Sequence, residues 1–272
     1  MIQRTNDDRA EARRAALEAR RGEPITLDAL TGRWSILQRK EGHRHSTDDV
    51  LTAWYALQRG PRVSDTLDLG TGTGTVGLLT LHGLGEGAHL HCVEAQAVSF
   101  ELLIENIALN GLTARVHPIH GDLREVTFDR AFDLVTGSPP YFGVSAGVLP
   151  SDSQKAHARF ELRGTVADYA AAAARHISEA DHARFIFCFP TAQKERALRA
   201  LHDHGFSAVT HRDVIPRAHR APLFSLFACR RGEHLEVEEA PLVVRDDAGE
   251  HTDEMRAVRR AFGFPVSEPP RR

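Results

Sequence analysis

An α/β fold built on a mostly parallel sheet is predicted by three features of the 272-residue chain. From residue 65 onward, short apolar runs alternate with amphipathic stretches of helical length, the pattern of a parallel sheet covered on both faces. A glycine-rich turn, Asp68-Leu69-Gly70-Thr71-Gly72-Thr73-Gly74, joins the first of those runs to the first helix. Near the C-terminus two apolar runs follow each other with no helix between them, which predicts an antiparallel pair finishing the sheet.

Taken in order, residues 7–21 read as a charged helix closed by Gly22 and Pro24, its arginines nearly balanced by acids, as in a solvated extension. RWSILQRK reads as a short strand. GHRHSTDD then leads into the helix DDVLTAWYALQRG, with Ser46 or Thr47 as its cap and Asp48 and Asp49 favourable in its first turn. The strands DTLDLG, AHLHCVE, ARVHPIHGD, FDLVTG and ARFIFCFP follow. Between them lie the helices TVGLLTLHGLG, QAVSFELLIENIALNG, VADYAAAAARHIS and, after the last, AQKERALRALHDHG. FSAVTHRDVIP and PLFSLFACRRG form the final strand pair. The expected organisation is a charged helical extension over residues 1–23, one domain over 24–264, and a disordered tail over 265–272.

Apolar residues make up 42% and charged residues 26%, a soluble globular profile, and no run is long and apolar enough to span a membrane. The N-terminus lacks the apolar core of a secretory signal, so the expected location is the cytoplasm; the sequence does not give the oligomeric state, and a monomer is the expectation. Cys92, Cys188 and Cys229 are far apart in apolar stretches and read as small core residues. The 16 histidines are scattered, with no spacing that builds a metal site, so none is expected. The net charge of −3 argues mildly against a nucleic-acid partner, although a local basic patch suffices to hold a few phosphates.

Glycines are needed where a strand turns sharply into a helix and backbone must approach a ligand, here at Gly70, Gly72 and Gly74. Gly72-x-Gly74-x-x-Gly77 also fits a dinucleotide fingerprint. Glu94, at the end of the next strand, can accept hydrogen bonds from both ribose hydroxyls of either cofactor. Two acids favour S-adenosylmethionine over NAD. Asp68 would attract the methionine ammonium but repel a pyrophosphate, and Asp122, closing the third strand, could recognise an adenine amino group.

After the fourth strand comes Ser138-Pro139-Pro140-Tyr141-Phe142. The lone pair of an exocyclic amine is delocalised into its ring. Methylating it requires acceptors that hold the N–H groups so that the lone pair points at the methyl. Ser138 and the Pro139 carbonyl can supply two, the prolines fix the backbone, and Tyr141 can stack on an extruded planar base. Catalysis would be mainly positioning for in-line attack, without a metal.

DLGTGTG, the VE at 93–94, the GD at 121–122 and SPPYF together resemble class I amino-methyltransferases with an [N/D/S]-P-P-[Y/F/W] motif. HRHSTDDVLTAWYA and RDDAGEHTDEMRAVRRAF extend the likeness, over residues 33–264, to bacterial tRNA-valine adenine-N6-methyltransferases. The resemblance implies a Rossmann-like, mostly parallel seven-stranded sheet with helices on both faces and an antiparallel last strand. It also implies S-adenosylmethionine as cofactor and a tRNA adenine as substrate, with the segment around Thr47 and Asp48 closing over the cofactor's methionine part. The chain departs from that pattern at Ser138, where asparagine is usual, and at His251, where tyrosine is. Arg39, Lys40, Arg44, Arg217, His219 and Arg220 are candidates for an RNA track.

The same motifs serve glutamine N5, rRNA guanine N2 and DNA amino-methylation. A non-catalytic scaffold that binds the cofactor or RNA, to which Ser138 points, and an NAD-dependent oxidoreductase remain as readings of other classes.

Overall fold

The computed structural model describes residues 2–141, 152, 154 and 164–266, with side chains from Asp8 onward. The chain opens with α1 (Ile2–Arg21), a hairpin of β1 (Ile25–Ala29) and β2 (Ser35–Arg39), and α2 (Thr47–Arg59). The alternating part is β3 (Asp65–Leu69), α3 (Thr75–Leu84), β4 (His89–Glu94), α4 (Ala97–Leu109), β5 (Val116–His120) and β6 (Leu134–Gly137). It continues through α5 (Val166–His176), β7 (Arg184–Pro190), α6 (Lys194–Asp203), β8 (Phe206–Ile215) and β9 (Phe224–Arg231). A further strand, β10 (Val237–Val243), and α7 (Asp253–Ala261) close the fold. Phe142 and most of the expected tail, from residue 267, lie outside the described residues.

The main sheet has the order β10-β8-β9-β7-β6-β3-β4-β5, and every neighbouring pair is parallel except those made by β9. The predicted α/β class holds, with two differences. The sheet has eight strands rather than seven. The antiparallel strand is inserted between β7 and β8, and β10 runs parallel to β8 along the outer edge. That edge is guarded by Glu238, Glu239 and Pro241, charges and a proline that discourage pairing with another chain.

Helices α2, α3, α4 and α7 cover one face, where Leu51, Leu78, Leu103 and Val258 pack with the sheet residues Leu90, Ile186 and Leu226. Helices α5 and α6 cover the other, with Ala172, Ala173 and Leu201 against Leu69, Val135 and Phe187. The crossovers after β3 and β6 therefore leave on opposite faces. A crevice opens at the carboxyl ends of these adjacent strands, where open α/β sheets bind ligands.

The N-terminal helix is not the solvated extension expected from its charge. Leu17 is 1% exposed and packs with Ile25, Leu37 and Leu102, while Arg20 pairs with Glu101 and Glu105 of α4. On that helix Asn106 and Asn110, one turn apart, act as side-chain continuations of β2. Asn106 Oδ1 accepts from Leu37 N at 2.7 Å, and Asn110 Oδ1 accepts from Ser35 N at 2.9 Å. Both amides also donate to the carbonyls of the residues they accept from, so buried backbone groups on a strand edge are satisfied. Among the described residues, no helix is long and apolar enough to cross a membrane.

Candidate active site

Asp68 lies one residue before the end of β3, opposite Thr136 of β6 in register. Its side chain is 1% exposed, and its carboxylate gathers three protein donors. Thr71 Oγ1 donates at 2.5 Å and Gly77 N at 3.0 Å, both to Oδ2, and Thr136 Oγ1 donates at 2.7 Å to Oδ1. Burial pushes its pKa up while these donors pull it down. Thus one carboxylate ties the glycine turn, the start of α3 and the neighbouring strand. The carboxylate of Asp68, expected to attract a ligand ammonium, is bonded on both oxygens by loop, helix and strand donors and also lines the cavity. Gly77 must lack a side chain for this, because a Cβ there would lie 2.9 Å from Asp68 Oδ2.

The turn is also pinned from β4 and from α4. Thr71 N donates to Val93 O at 2.9 Å, and Asn106 Nδ2 donates to Thr73 O at 3.0 Å. Glu94, 6% exposed, accepts from Gly72 N at 2.8 Å and from Gln96 N at 2.7 Å. These two bonds fix the plane of its carboxylate, and a carboxylate offers about four acceptor positions in all. Gly74 has φ 101° and caps α3. Gly70 has φ 61°, and a Cβ on it would stand 1.9 Å from the hydroxyl of Tyr169, a residue of α5 buried against the turn. Burial raises the pKa of that phenol, and the charges of Glu94 and Asp68 add to the effect.

On the other side of the crevice, the upstream segment meets the Pro-Pro motif. Ser46 caps α2, with its N–H donating to Asp49 Oδ2 at 3.1 Å, half of a capping box. The next two acids divide. Asp48 accepts a hydrogen bond from the Tyr141 hydroxyl at 2.6 Å, which joins the upstream segment to the motif. Asp49 is buried and lines the crevice; burial, then the charges of Asp48 and Asp68, raise its pKa well above the usual carboxylate range. Tyr141 stands edge-on to Phe189, its backbone carbonyl accepts from Gln193 Nε2 at 2.8 Å, and its hydroxyl lies 3.3 Å from Cys188 Sγ. Ser138 Oγ is 3.6 Å from the same sulfur. Cys188 is therefore more than a core filler. Burial pushes its thiol up to about 12, so it stays protonated between the two polar side chains of the motif.

Together these elements enclose a cavity of about 710 Å³, within the roughly 300–1,000 Å³ of small-molecule sites. Ser138, Pro139, Pro140 and Tyr141 line it, with Thr47, Asp48, Asp68, Gly70, Gly72 and Glu94. Asp122 does not: its carboxylate forms a bidentate pair with Arg124, and only its neighbours Gly121 and Leu123 reach the cavity. Gly74 shapes the turn without lining it. Tyr169, Asp49 and, outside the lining, Cys188 are the residues that sequence reasoning missed. Of the basic candidates, Arg39 is bound to Glu23 and Asp152, and Arg44 to Asp28. Arg217 donates to Asp247 O, and His219 faces the Asp247 carboxylate at 3.2 Å. Lys40 and Arg220 are exposed.

Asp48, Asp49, Asp68 and Glu94 all line one cavity, whereas its guanidinium, that of Arg44, is neutralised by Asp28. Such a field suits a cation and opposes a pyrophosphate, which removes the dinucleotide reading. Among the described residues, no group of three or more His, Cys, Asp or Glu side chains is placed to hold a metal ion. A sulfonium cofactor carrying an ammonium and a ribose matches both the acids and the glycine turn. The chain is an S-adenosylmethionine-dependent methyltransferase.

Residues 55–174 match the methyltransferase small domain family. The chain is similar to the tRNA1(Val) (adenine(37)-N6)-methyltransferase of Actinobacillus pleuropneumoniae serotype 7, 24% identical over 80% of this chain and 89% of the relative. The protein of the same name from Dickeya chrysanthemi is 29% identical over 79% of this chain and 86% of its own length. Among solved structures, a predicted O-methyltransferase from Agrobacterium tumefaciens superposes with a TM-score of 0.62 at 17% identity, over 82% of this chain and all (100%) of that one. A ribosomal protein L11 methylase from Lactobacillus delbrueckii subsp. bulgaricus gives 0.53 at 17% identity, over 76% and 99%. At such identities the structures share the fold.

The packing of Tyr169 against the glycine turn gives a direct test. Gly70→Ala combines a left-handed backbone with a collision at the Tyr169 hydroxyl, and is expected to weaken S-adenosylmethionine binding at least about tenfold by calorimetry. Adding Tyr169→Phe removes the colliding oxygen and is expected to recover part of the loss. Wild-type affinity in Gly70→Ala would show that the turn does not depend on this contact.

Proposed function

We propose that this enzyme methylates an exocyclic amino group of a nucleobase, N6 of adenine in a tRNA, and works in the cytoplasm. The observation that carries the reading is that Ser138-Pro139-Pro140-Tyr141 directly follows β6 and lines the same cavity as the Asp68-held glycine turn. The names of the relatives, which are tRNA adenine-N6 enzymes, support the choice of base and nucleic acid.

S-adenosylmethionine supplies a methyl group made electrophilic by its attachment to a sulfonium. The chain's residues have three tasks toward it. Glu94 accepts from the ribose hydroxyls, the turn of Gly70 and Gly72 lets backbone approach the ligand, and Asp49 receives the ammonium, with Thr47 closing the segment over it. Toward the acceptor, Ser138 Oγ and the Pro139 carbonyl take the two N–H groups, which rotates the nitrogen lone pair toward the methyl carbon. The new N–C bond forms as the C–S bond breaks, the bonding pair stays on sulfur, and one N–H proton passes to water. No general base is required, because the nitrogen becomes strongly acidic once methylated. The thiol of Cys188 gives the Ser138 hydroxyl a neighbour to donate to, so that its lone pairs face the amine. Tyr141, held at its hydroxyl by Asp48 and at its carbonyl by Gln193, presents its ring for stacking.

The assignment of Asp49 fixes the sign of a pH effect. Burial and its acidic neighbours favour the protonated form without ligand, and an ammonium alongside favours the ionised one. Cofactor binding then releases a proton, and affinity rises with pH through the raised pKa. Calorimetry in two buffers of different ionisation enthalpy reads that proton. Asp49→Asn should lose both the release and the pH dependence while binding more weakly. A release of unchanged size in the variant would place the ammonium elsewhere.

The reading itself is tested by incubating unmodified total tRNA with labelled S-adenosylmethionine and identifying the product nucleoside by mass spectrometry. N6-methyladenosine is expected, with Tyr141→Ala slower by at least about tenfold at nearly unchanged cofactor affinity. Label in another nucleoside would correct the base. No label in tRNA, with S-adenosylmethionine binding shown in parallel, would overturn the tRNA assignment.

A further inference from the structure

The loop 216–223 joins β8 to β9 at the carboxyl edge of the sheet, beside the mouth of the cavity. It ends in Leu223, which lines that cavity together with Pro190 and Phe224 and yet is 63% exposed. A single exposed leucine is ordinary on a protein surface. This one differs from the other large exposed apolar side chains of the described residues. Ile104, Leu235 and Val237 lie away from the cavity.

Its backbone is also held on both sides. Leu223 N donates to Val214 O at 2.9 Å, and its carbonyl accepts from Thr191 N at 3.3 Å. Thr191 begins the short turn whose Gln193 bonds the Tyr141 carbonyl at 2.8 Å. One turn thus sets the positions of both Leu223 and the aromatic residue of the motif. An apolar side chain presented to water on a fixed backbone, at the entrance through which the acceptor must pass, gains free energy only when something covers it. A nucleobase has an apolar face of the right kind to do so. On the same loop Arg220 is exposed and makes no ion pair among the described residues, so a cation stands ready beside the entrance.

We propose that Leu223 is an acceptor-contacting residue that packs on the face of the target base, with Arg220 meeting an adjoining phosphate of the same RNA. This rests on the nucleic-acid reading given above. Leu223 then contributes to the affinity for RNA and excludes water from the reacting amine, while leaving the cofactor's half of the cavity untouched.

The test is equilibrium binding of unmodified tRNA, by fluorescence anisotropy with saturating S-adenosylhomocysteine, beside methylation of the same tRNA. Leu223→Ala should bind tRNA about tenfold more weakly and raise KM by a similar factor, the loss expected for uncovering most of a leucine. Its S-adenosylhomocysteine affinity and thermal midpoint should equal those of the wild type, because Leu223 is 63% exposed and the change uncovers little of the core. Arg220→Ala should weaken binding without regard to base and lower the slope of log affinity against log salt by about one. If the wild type binds and methylates tRNA and Leu223→Ala does so equally well, the leucine is a surface residue and this inference alone fails. If the wild type neither binds nor methylates RNA, the inference falls together with the nucleic-acid reading.

Discussion

The buried carboxylate of Asp68 is the constraint around which the rest of the site is arranged. A charge that is 1% exposed would be costly without partners, and its three donors come from three different parts of the chain. Thr71 belongs to the turn, Gly77 to α3 and Thr136 to β6. By satisfying one acid, the fold fixes the path of the glycine turn between β3 and α3 and keeps β6, which carries the Pro-Pro motif, in register beside it. The parallel sheet brings the strand ends together, and the carboxylate converts that proximity into a defined geometry.

The opposite wall works by coupling rather than by burial alone. The doublet at the start of α2 lines the cavity with both acids but divides their roles: Asp48 holds the Tyr141 hydroxyl, while Asp49 is buried. The segment upstream of α2 and the Pro-Pro motif thereby share a hydrogen bond. Cys188, reaching both Ser138 and Tyr141 from β7, braces the motif from behind. This wall of the cavity is in this way one hydrogen-bonded unit, the rigidity that the proposed positioning catalysis calls for.

Much of this was legible in the sequence because the relevant signals are local. The runs DTLDLG, AHLHCVE and ARFIFCFP are apolar, short and bounded by turn residues, and each is a strand within a residue or two of its expected limits. The glycine turn and SPPY announced their positions by composition. What escaped was set by contacts between distant parts of the chain. VEEAPLV hides a strand because an edge exposed to water carries glutamates and a proline instead of alternation. Tyr169 sits in an alanine-rich helix and reads as a core residue, since nothing in VADYAAAAARH reveals that it abuts Gly70, far away in sequence. The two aspartates of HSTDD are adjacent, and only the helix orientation decides which one bonds Tyr141 and which one is buried. Asp122 went the other way: Arg124, two residues on, claims its carboxylate, a local competition that the spacing alone did not resolve. The charged α1 was misjudged because, among its described side chains, docking rests on Leu17 and on ion pairs with acids of α4.

The most direct test of the central role of Asp68 is a comparison of Asp68→Ala with the wild type by calorimetry with S-adenosylmethionine and by amide hydrogen exchange across residues 70–77. Loss of cofactor binding together with faster exchange confined to the turn, in a protein whose sheet amides stay protected, is the expected result. Cofactor affinity close to wild type, with the turn as protected as before, would contradict the claim that this carboxylate organises the site.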